Sequence, residues 1–215
     1  MKRLILALDV YEKGTALRVA RETADYLWAV KVNWPLILGS GLGIIRGLKV
    51  ETGLPIIADL KLADIPNTNR LIASKVFEAG ADYIIAHGFT GRDSVRAVMD
   101  LGEVIMVTEM SHPGAREFIQ SLTDRLVELA NELEPFGIVA PATRPERVSY
   151  IRSKLKPGIK ILTPGVGAQG GRAGEVLEAG ADYIIVGRSI YASENPGESA
   201  RRLHEEINGG TGDGT

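Results

Sequence analysis

The phrase EAGADYII occurs twice in this chain, at 78–85 and again at 178–185, 100 residues apart. In each copy a helical stretch reaches a glycine and a buried strand follows. The same beat runs through the whole sequence. Apolar, non-alternating runs fall at 3–8, 28–32, 55–60, 82–87, 103–108, 137–141, 160–164 and 182–187. Helical patterns separate them: TALRVARETADY, NRLIASKVFEAG, DSVRAVMD, AREFIQSLTDRLVELANEL, RPERVSYIRSKL, GRAGEVLEAG and a last one near PGESARRLHEEI. The glycine-interrupted WPLILGSGLGIIRGLKVETG is expected to hold the second helix. Strands that do not alternate are covered on both faces, which implies parallel pairing. Eight such units predict a single-domain (β/α)8 TIM barrel over residues 1–207, with 208–215 as a disordered Gly-rich tail. A doubly wound open sheet is the competitor. The count of eight and the lack of a G-x-G-x-x-G turn after the first strand disfavour it.

Composition narrows the function classes. With 25 basic and 27 acidic residues, and no basic stripe interleaved with aromatics, the chain has no electrostatic footprint for nucleic acid. The absence of Cys removes disulfides, thiolate chemistry and Cys-based metal sites together. The opening MKRLILALDV reads as a first strand rather than a signal peptide, and no apolar run approaches a membrane span. The expected location is the cytoplasm.

In a parallel barrel the chemistry gathers where strands finish. The first strand ends at Asp9, and the second carries Lys31. The third delivers Asp59 and Lys61, with Asp64 in the loop beyond. The fourth ends at His87, the fifth at Met110 and Ser111, the seventh at Pro164, and the eighth at Gly187 and Arg188. Asp59 and Lys61 lie two apart, so on a strand they face the same way, about 6.6 Å apart. Buried lysines need carboxylate partners. The expected arrangement is an alternating network, Lys31–Asp59–Lys61–Asp64, with Asp9 interleaving. A purely structural ion-pair cluster is the alternative. It is a poor stability device, because desolvation can exceed the Coulombic gain.

The opposite side of the mouth suggests an anion. TPGVGAQGG at 163–171 follows the seventh strand, and GRSIY at 187–191 follows the eighth. These are the usual phosphate-binding loops of such barrels, with backbone N–H groups and a helix N-terminus as donors. Arg188 offers a bidentate partner, and Gln169 lies where a mobile loop can fold over. An ordinary pair of βα turns is the plainer reading of the glycines alone. The histidines, His87, His112 and His204, fall in different elements and form no metal motif. The three carboxylates suit Mg²⁺ in principle, but the intervening lysines neutralise much of their charge.

LALDV at 6–10, AVKV at 29–32, IIADLKLADIPNT at 56–68, PGVGAQGG at 164–171 and VGRSIY at 186–191 together resemble the archaeal-type orotidine 5'-phosphate decarboxylases, over residues 1–207. The D-x-K-x-x-D core, Asp59, Lys61 and Asp64, belongs to a wider superfamily. Its Mg²⁺-using sugar-phosphate relatives typically carry glutamate where this chain has Lys31. The resemblance implies a carboxy-lyase that converts orotidine 5'-monophosphate into uridine 5'-monophosphate and CO₂ without a cofactor. It implies Lys61 as the proton donor to a C6 carbanion, with Asp59, Asp64 and Lys31 completing the catalytic set. Asp9, Lys31 and Thr68 are implied to hold the ribose, and Ser111 the pyrimidine. Gln169, Gly187 and Arg188, beside Pro164, are implied to hold the 5'-phosphate. A homodimer in which Asp64 and Thr68 serve the partner's site is implied as well. The rival readings are an Mg²⁺-dependent sugar-phosphate lyase and a non-catalytic nucleotide-binding barrel.

Overall fold

Every residue of Leu4–Leu8 is buried, as a strand must be when one face lines a barrel and the other meets helices. In a computed structural model, which describes residues 2–209, this is β1 of eight strands. The others are β2 (Leu27–Asn33), β3 (Ile56–Leu62), β4 (Tyr83–His87), β5 (Glu103–Val107), β6 (Gly137–Val139), β7 (Lys160–Pro164) and β8 (Tyr183–Val186). Neighbours pair in parallel in chain order, and β1 closes on β8. The (β/α)8 barrel expected from the eight apolar runs is therefore the observed fold.

Ile5, Ile57, Ile105 and Leu162 from odd-numbered strands, and Ala29, Ile85, Val139 and Ile185 from even-numbered ones, fill the interior. A larger shell, including Leu4, Leu6, Leu8, Val30 and Ile56, packs outward against the helices. Four aromatic rings floor the barrel at the starts of the even strands. Trp28 and Tyr183 lie 4.2 Å apart, Tyr83 and Phe136 4.5 Å, and Trp28 stacks on Phe136 at 5.8 Å. Trp28 reaches this floor through a bulge, since Leu4 faces Leu27 but Ile5 faces Ala29.

The helices are α1 (Lys13–Thr23), α2 (Trp34–Ser40), α3 (Ile44–Thr52), α4 (Pro66–Glu78), α5 (Arg92–Met99), α6 (Thr123–Leu133), α7 (Pro145–Lys154), α8 (Ala173–Glu178), α9 (Arg188–Tyr191) and α10 (Pro196–Gly209). Three differ from expectation. The second helical segment splits into α2 and α3 around Gly41, whose φ of 75° suits glycine. The single helix expected over 115–133 begins only at Thr123; before it the chain makes two 3-10 turns, Pro113–Arg116 and Ile119–Leu122. The last helix runs to Gly209, so Asn208 and Gly209 are helical rather than part of a tail. Residues 210–215 of the expected tail lie outside the described residues. Among the described residues no helix is long and apolar enough to cross a membrane.

The repeated phrase makes the same joint twice. Asp82, just ahead of β4, accepts the Ile56 N–H at 2.8 Å and Lys49 Nζ at 2.5 Å. Asp182, just ahead of β8, accepts the Ile161 N–H at 2.8 Å and an Arg152 guanidinium nitrogen at 2.5 Å. Gly80 and Gly180 take φ of 104° and 103° to turn the chain from helix to strand. Each aspartate thus fastens the start of the preceding strand. Asp82→Ala and Asp182→Ala should each lower stability by ~1–3 kcal/mol, read from denaturant midpoints.

Candidate active site

At the C-terminal end of the strands a cavity of about 390 Å³ opens. Asp9, Lys31, Asn33, Asp59 and Lys61 line one side of it, and Ser111, Pro164, Gln169, Gly187 and Arg188 line the other. Among the sequence-expected residues, only Asp64 and Thr68 do not line it.

The charged side is built on the ends of three adjacent strands, β1 to β3. Asn33 sits opposite Asp59 in the β2–β3 register, and Lys31 lies two residues deeper, opposite Ile57. The lysine stem runs up the barrel wall, and its Nζ donates to Asp59 Oδ2 at 2.7 Å. Lys61 Nζ donates to the other oxygen, Oδ1, at 2.8 Å. Asp9 stands 3.9 Å from Lys31 and accepts Asn33 Nδ2 at 2.7 Å. Signs alternate along the row Asp9, Lys31, Asp59, Lys61, so its charge sums to zero, as does that of the buried pair Lys31 and Asp59.

Burial opposes the charged form of Lys31, but Asp59 and Asp9 outweigh it and hold the ammonium pKa above its ordinary value. Burial likewise opposes ionised Asp59, and Lys31 and Lys61 together overcome it and hold the carboxyl below its ordinary value. Both groups are therefore charged at neutral pH.

Lys61 has a backbone φ of 47°, in the left-handed region that an L-residue avoids at a cost of about 1 kcal/mol. The β3–β4 register breaks at the same place: Ala58 faces Ile84, yet the next pair is Leu62 with Ala86. The extra residues on β3 aim the lysine into the cavity mouth. An even strand, as the sequence suggests, would not require this distortion.

Asp64 departs from the expected network. Within one chain it has no ion pair with Lys61; its carboxylate accepts the Ile65 N–H at 2.7 Å, and its carbonyl accepts Ser94 Oγ at 2.6 Å. The loop after β3 turns it outward to an exposed position, near Thr68 on α4. Around this rim Trp34, Leu38, Ile65 and Phe89 are exposed apolar side chains.

On the other side, Arg188 is exposed and has no acidic partner among the described residues. The Gly165–Gly171 loop folds on itself, with Gly167 N–H to Gly171 O at 3.0 Å and Gly171 N–H to Gly165 O at 3.0 Å. Gly167, at φ 74°, lets this loop touch the next: a Cβ there would lie 2.6 Å from Ser189 Oγ. The helix expected to offer its N-terminus, α9, is one turn long, Arg188–Tyr191, so its dipole is small.

The sequence reading missed a buried cluster behind Ser111. Glu109, fully buried, accepts Arg147 at 2.9 and 3.1 Å, Arg144 at 3.3 Å and Thr123 Oγ at 3.0 Å. Arg144 also donates to Met110 O at 2.6 Å, and Thr143 Oγ to Ser111 O at 2.8 Å, so this cluster fixes the strand end that carries Ser111. Nothing in VTEMSH or TRPERV signals the pairing, which spans more than thirty residues.

A sequence profile described as the orotidine 5'-phosphate decarboxylase / HUMPS family matches residues 2–203. The chain belongs to this family. It is 78% identical over 205 residues to orotidine 5'-phosphate decarboxylase from Thermococcus kodakarensis, covering 95% of this chain and 96% of that protein. The crystal structure of orotidine 5'-phosphate decarboxylase from Pyrococcus horikoshii superposes with a TM-score of 0.91 at 67% identity, over 95% of this chain and 98% of the other. That of the Methanocaldococcus jannaschii enzyme, complexed with inhibitor BMP, gives 0.92 at 47% identity, over 97% and 99%. Family membership agrees with the resemblance carried by the D-x-K-x-x-D core.

Next to the charged row, His87 ends β4 with its Nδ1 buried and unpartnered, its ring 4.7 Å from Phe89. Burial, then the positive charge of Lys61, lowers its pKa from 6.5 to about 4. An unfolded chain would take up this proton near pH 6.5 and the folded one only near 4. Between those values the unfolded state binds more protons, so this histidine's contribution to stability is lost as pH falls. Denaturation curves of His87→Gln should accordingly depend less on pH between about 6.5 and 4 than those of the parent protein.

Proposed function

We propose that this protein decarboxylates orotidine 5'-monophosphate to uridine 5'-monophosphate and CO₂, with no metal or organic cofactor. The observation that carries the reading is Lys61 at the cavity mouth, donating to a carboxylate that Lys31 already holds ionised. The 78% identity to a protein of that name supports it. The family also includes sugar-phosphate enzymes, and Lys31 weighs against that branch, whose members are expected to carry glutamate there.

Loss of CO₂ from the pyrimidine C6 leaves an electron pair in an sp² orbital with no π acceptor, so fixed charge must stabilise it. The Lys61 ammonium suits this role because its attraction grows as negative charge localises at C6. It then delivers its proton to that carbon, and Asp59 stabilises the ammonium until transfer. The Asp59 carboxylate also sits where a substrate carboxylate would be crowded, which favours its departure. Lys31 and Asp9 face the ribose, Ser111 the pyrimidine edge, and Gln169, Gly187 and Arg188, next to Pro164, the 5'-phosphate. Asp59 already has a lysine on each of its oxygens, where a divalent cation would otherwise balance it.

The functional unit in this reading is a homodimer. Asp64 and Thr68 lie outside their own chain's cavity, on a rim whose exposed Trp34, Leu38, Ile65 and Phe89 suit burial against a second copy. Docking there would bring Asp64 toward the partner's Lys61 and Thr68 toward its ribose. A cytoplasmic location fits a substrate of this kind.

Three outcomes are expected. Lys61→Ala should lower kcat by at least about 10³-fold, while Arg188→Ala should mainly raise KM; similar kcat losses in both, with unchanged KM, would refute that division. Loss of orotate absorbance should proceed undiminished in EDTA, and a requirement for added Mg²⁺ would move the chain to the sugar-phosphate branch. Mixing Lys61→Ala with Asp64→Ala protomers should restore about a quarter of the parental activity, because half the dimers hold one intact site. No recovery after verified subunit exchange would place Asp64 outside the partner's site.

A further inference from the structure

Two buried polar side chains converge on the loop that carries Asp64. Asn69 on α4 and Ser94 on α5 are each 1% exposed, and Asn69 Nδ2 donates to Ser94 Oγ at 2.8 Å. Further along, the buried positions are apolar: Ala73 and Val76 on α4, and Val95, Ala97 and Val98 on α5. Each helix thus opens its buried stripe with a polar group. Both groups are directed at the backbone of Asp64. Its N–H donates to Asn69 Oδ1 at 3.3 Å, and its carbonyl accepts Ser94 Oγ at 2.6 Å and Asn69 Nδ2 at 3.2 Å. The donors are all used: the amide hydrogens go to Ser94 Oγ and Asp64 O, and the hydroxyl hydrogen to Asp64 O. A reversed amide would face the Asp64 N–H with a second donor, so this orientation is the one that works.

The residue on this clamped backbone is itself exposed, and among the described residues its carboxylate is engaged only by the Ile65 N–H. An exposed loop can leave its backbone bonds to water. Packing α4 against α5 needs no polar pair either, since apolar side chains fill such space without desolvation. What the pair supplies is one fixed geometry for the loop. Resting on the dimer reading above, we propose that Asn69 and Ser94 are positioning residues for the partner's active site, locking the Asp64 backbone so that its carboxylate is presented to the Lys61 of a second copy. Neither side chain touches substrate; each acts through Asp64, across the interface.

The test is complementation between subunits, with each variant confirmed as a dimer by light scattering. Asn69→Ala alone should lower kcat about tenfold, because a 1 Å misplacement at a site can cost on the order of 10²-fold. In an equal mixture with Lys61→Ala, half of the chains with intact Lys61 gain a partner with intact Asn69. Activity should then reach about a quarter of the parental value. A residue that acts within its own chain, or merely stabilises it, leaves the mixture near a twentieth. That result, or full activity in Asn69→Ala alone, would overturn the inference. Should Asn69→Ala fold poorly, Ser94→Ala deletes a single buried oxygen and should give the same pattern. The Lys61→Ala and Asp64→Ala mixture is the control: if it shows no recovery, the dimer reading itself falls and takes this inference with it.

Discussion

The contact between Lys31 and Asp59 is the constraint around which the upper barrel is organised. Both side chains are almost fully enclosed, at 6% and 7% exposure. Neither ion would be stable there alone, because desolvation of a single charge exceeds what a neutral wall returns. Lys61 and Asp9 therefore flank the pair at the water-facing edge, where each is 39% exposed. The gradient from enclosed to open gives the row a fixed inner half and an adjustable outer half.

Lys61 is where local preference yields to this arrangement. A left-handed lysine and a broken strand register are unfavourable by themselves, and they persist because Asp59 holds the Nζ and the flanking Leu60 and Leu62 are anchored in the helix-facing shell. The distortion is confined to the end of one strand. The barrel below remains regular.

How much of this could be read from the sequence follows from the range of the forces involved. The eight strands were legible because each is an uninterrupted apolar run, and the strand-end residues followed from the architecture. Asp9, Lys31, Asp59, Lys61, Ser111, Pro164, Gln169, Gly187 and Arg188 do meet around one cavity. Asp64 lies in the loop after β3, as expected, but within its own chain the carboxylate takes the Ile65 N–H and not Lys61. The amphipathic pattern over 115–133 predicts one helix, yet the chain makes two 3-10 turns before α6 begins at Thr123. There a tertiary demand overrides a local rule. Glu109 escaped notice for the same reason, since its partners Arg144 and Arg147 arrive from the far side of α6. Asn33 was hidden inside a strand that ran one residue longer than its apolar run.

The ring of Trp28, Tyr83, Phe136 and Tyr183 has a kinetic corollary. With the lower end of the barrel stoppered by packed aromatics, traffic is confined to one doorway. An arriving nucleotide and a departing one must share it, so they exclude each other by simple occupancy. Carbon dioxide and the nucleotide it leaves depart by that same opening, on the side where the row of charges meets water.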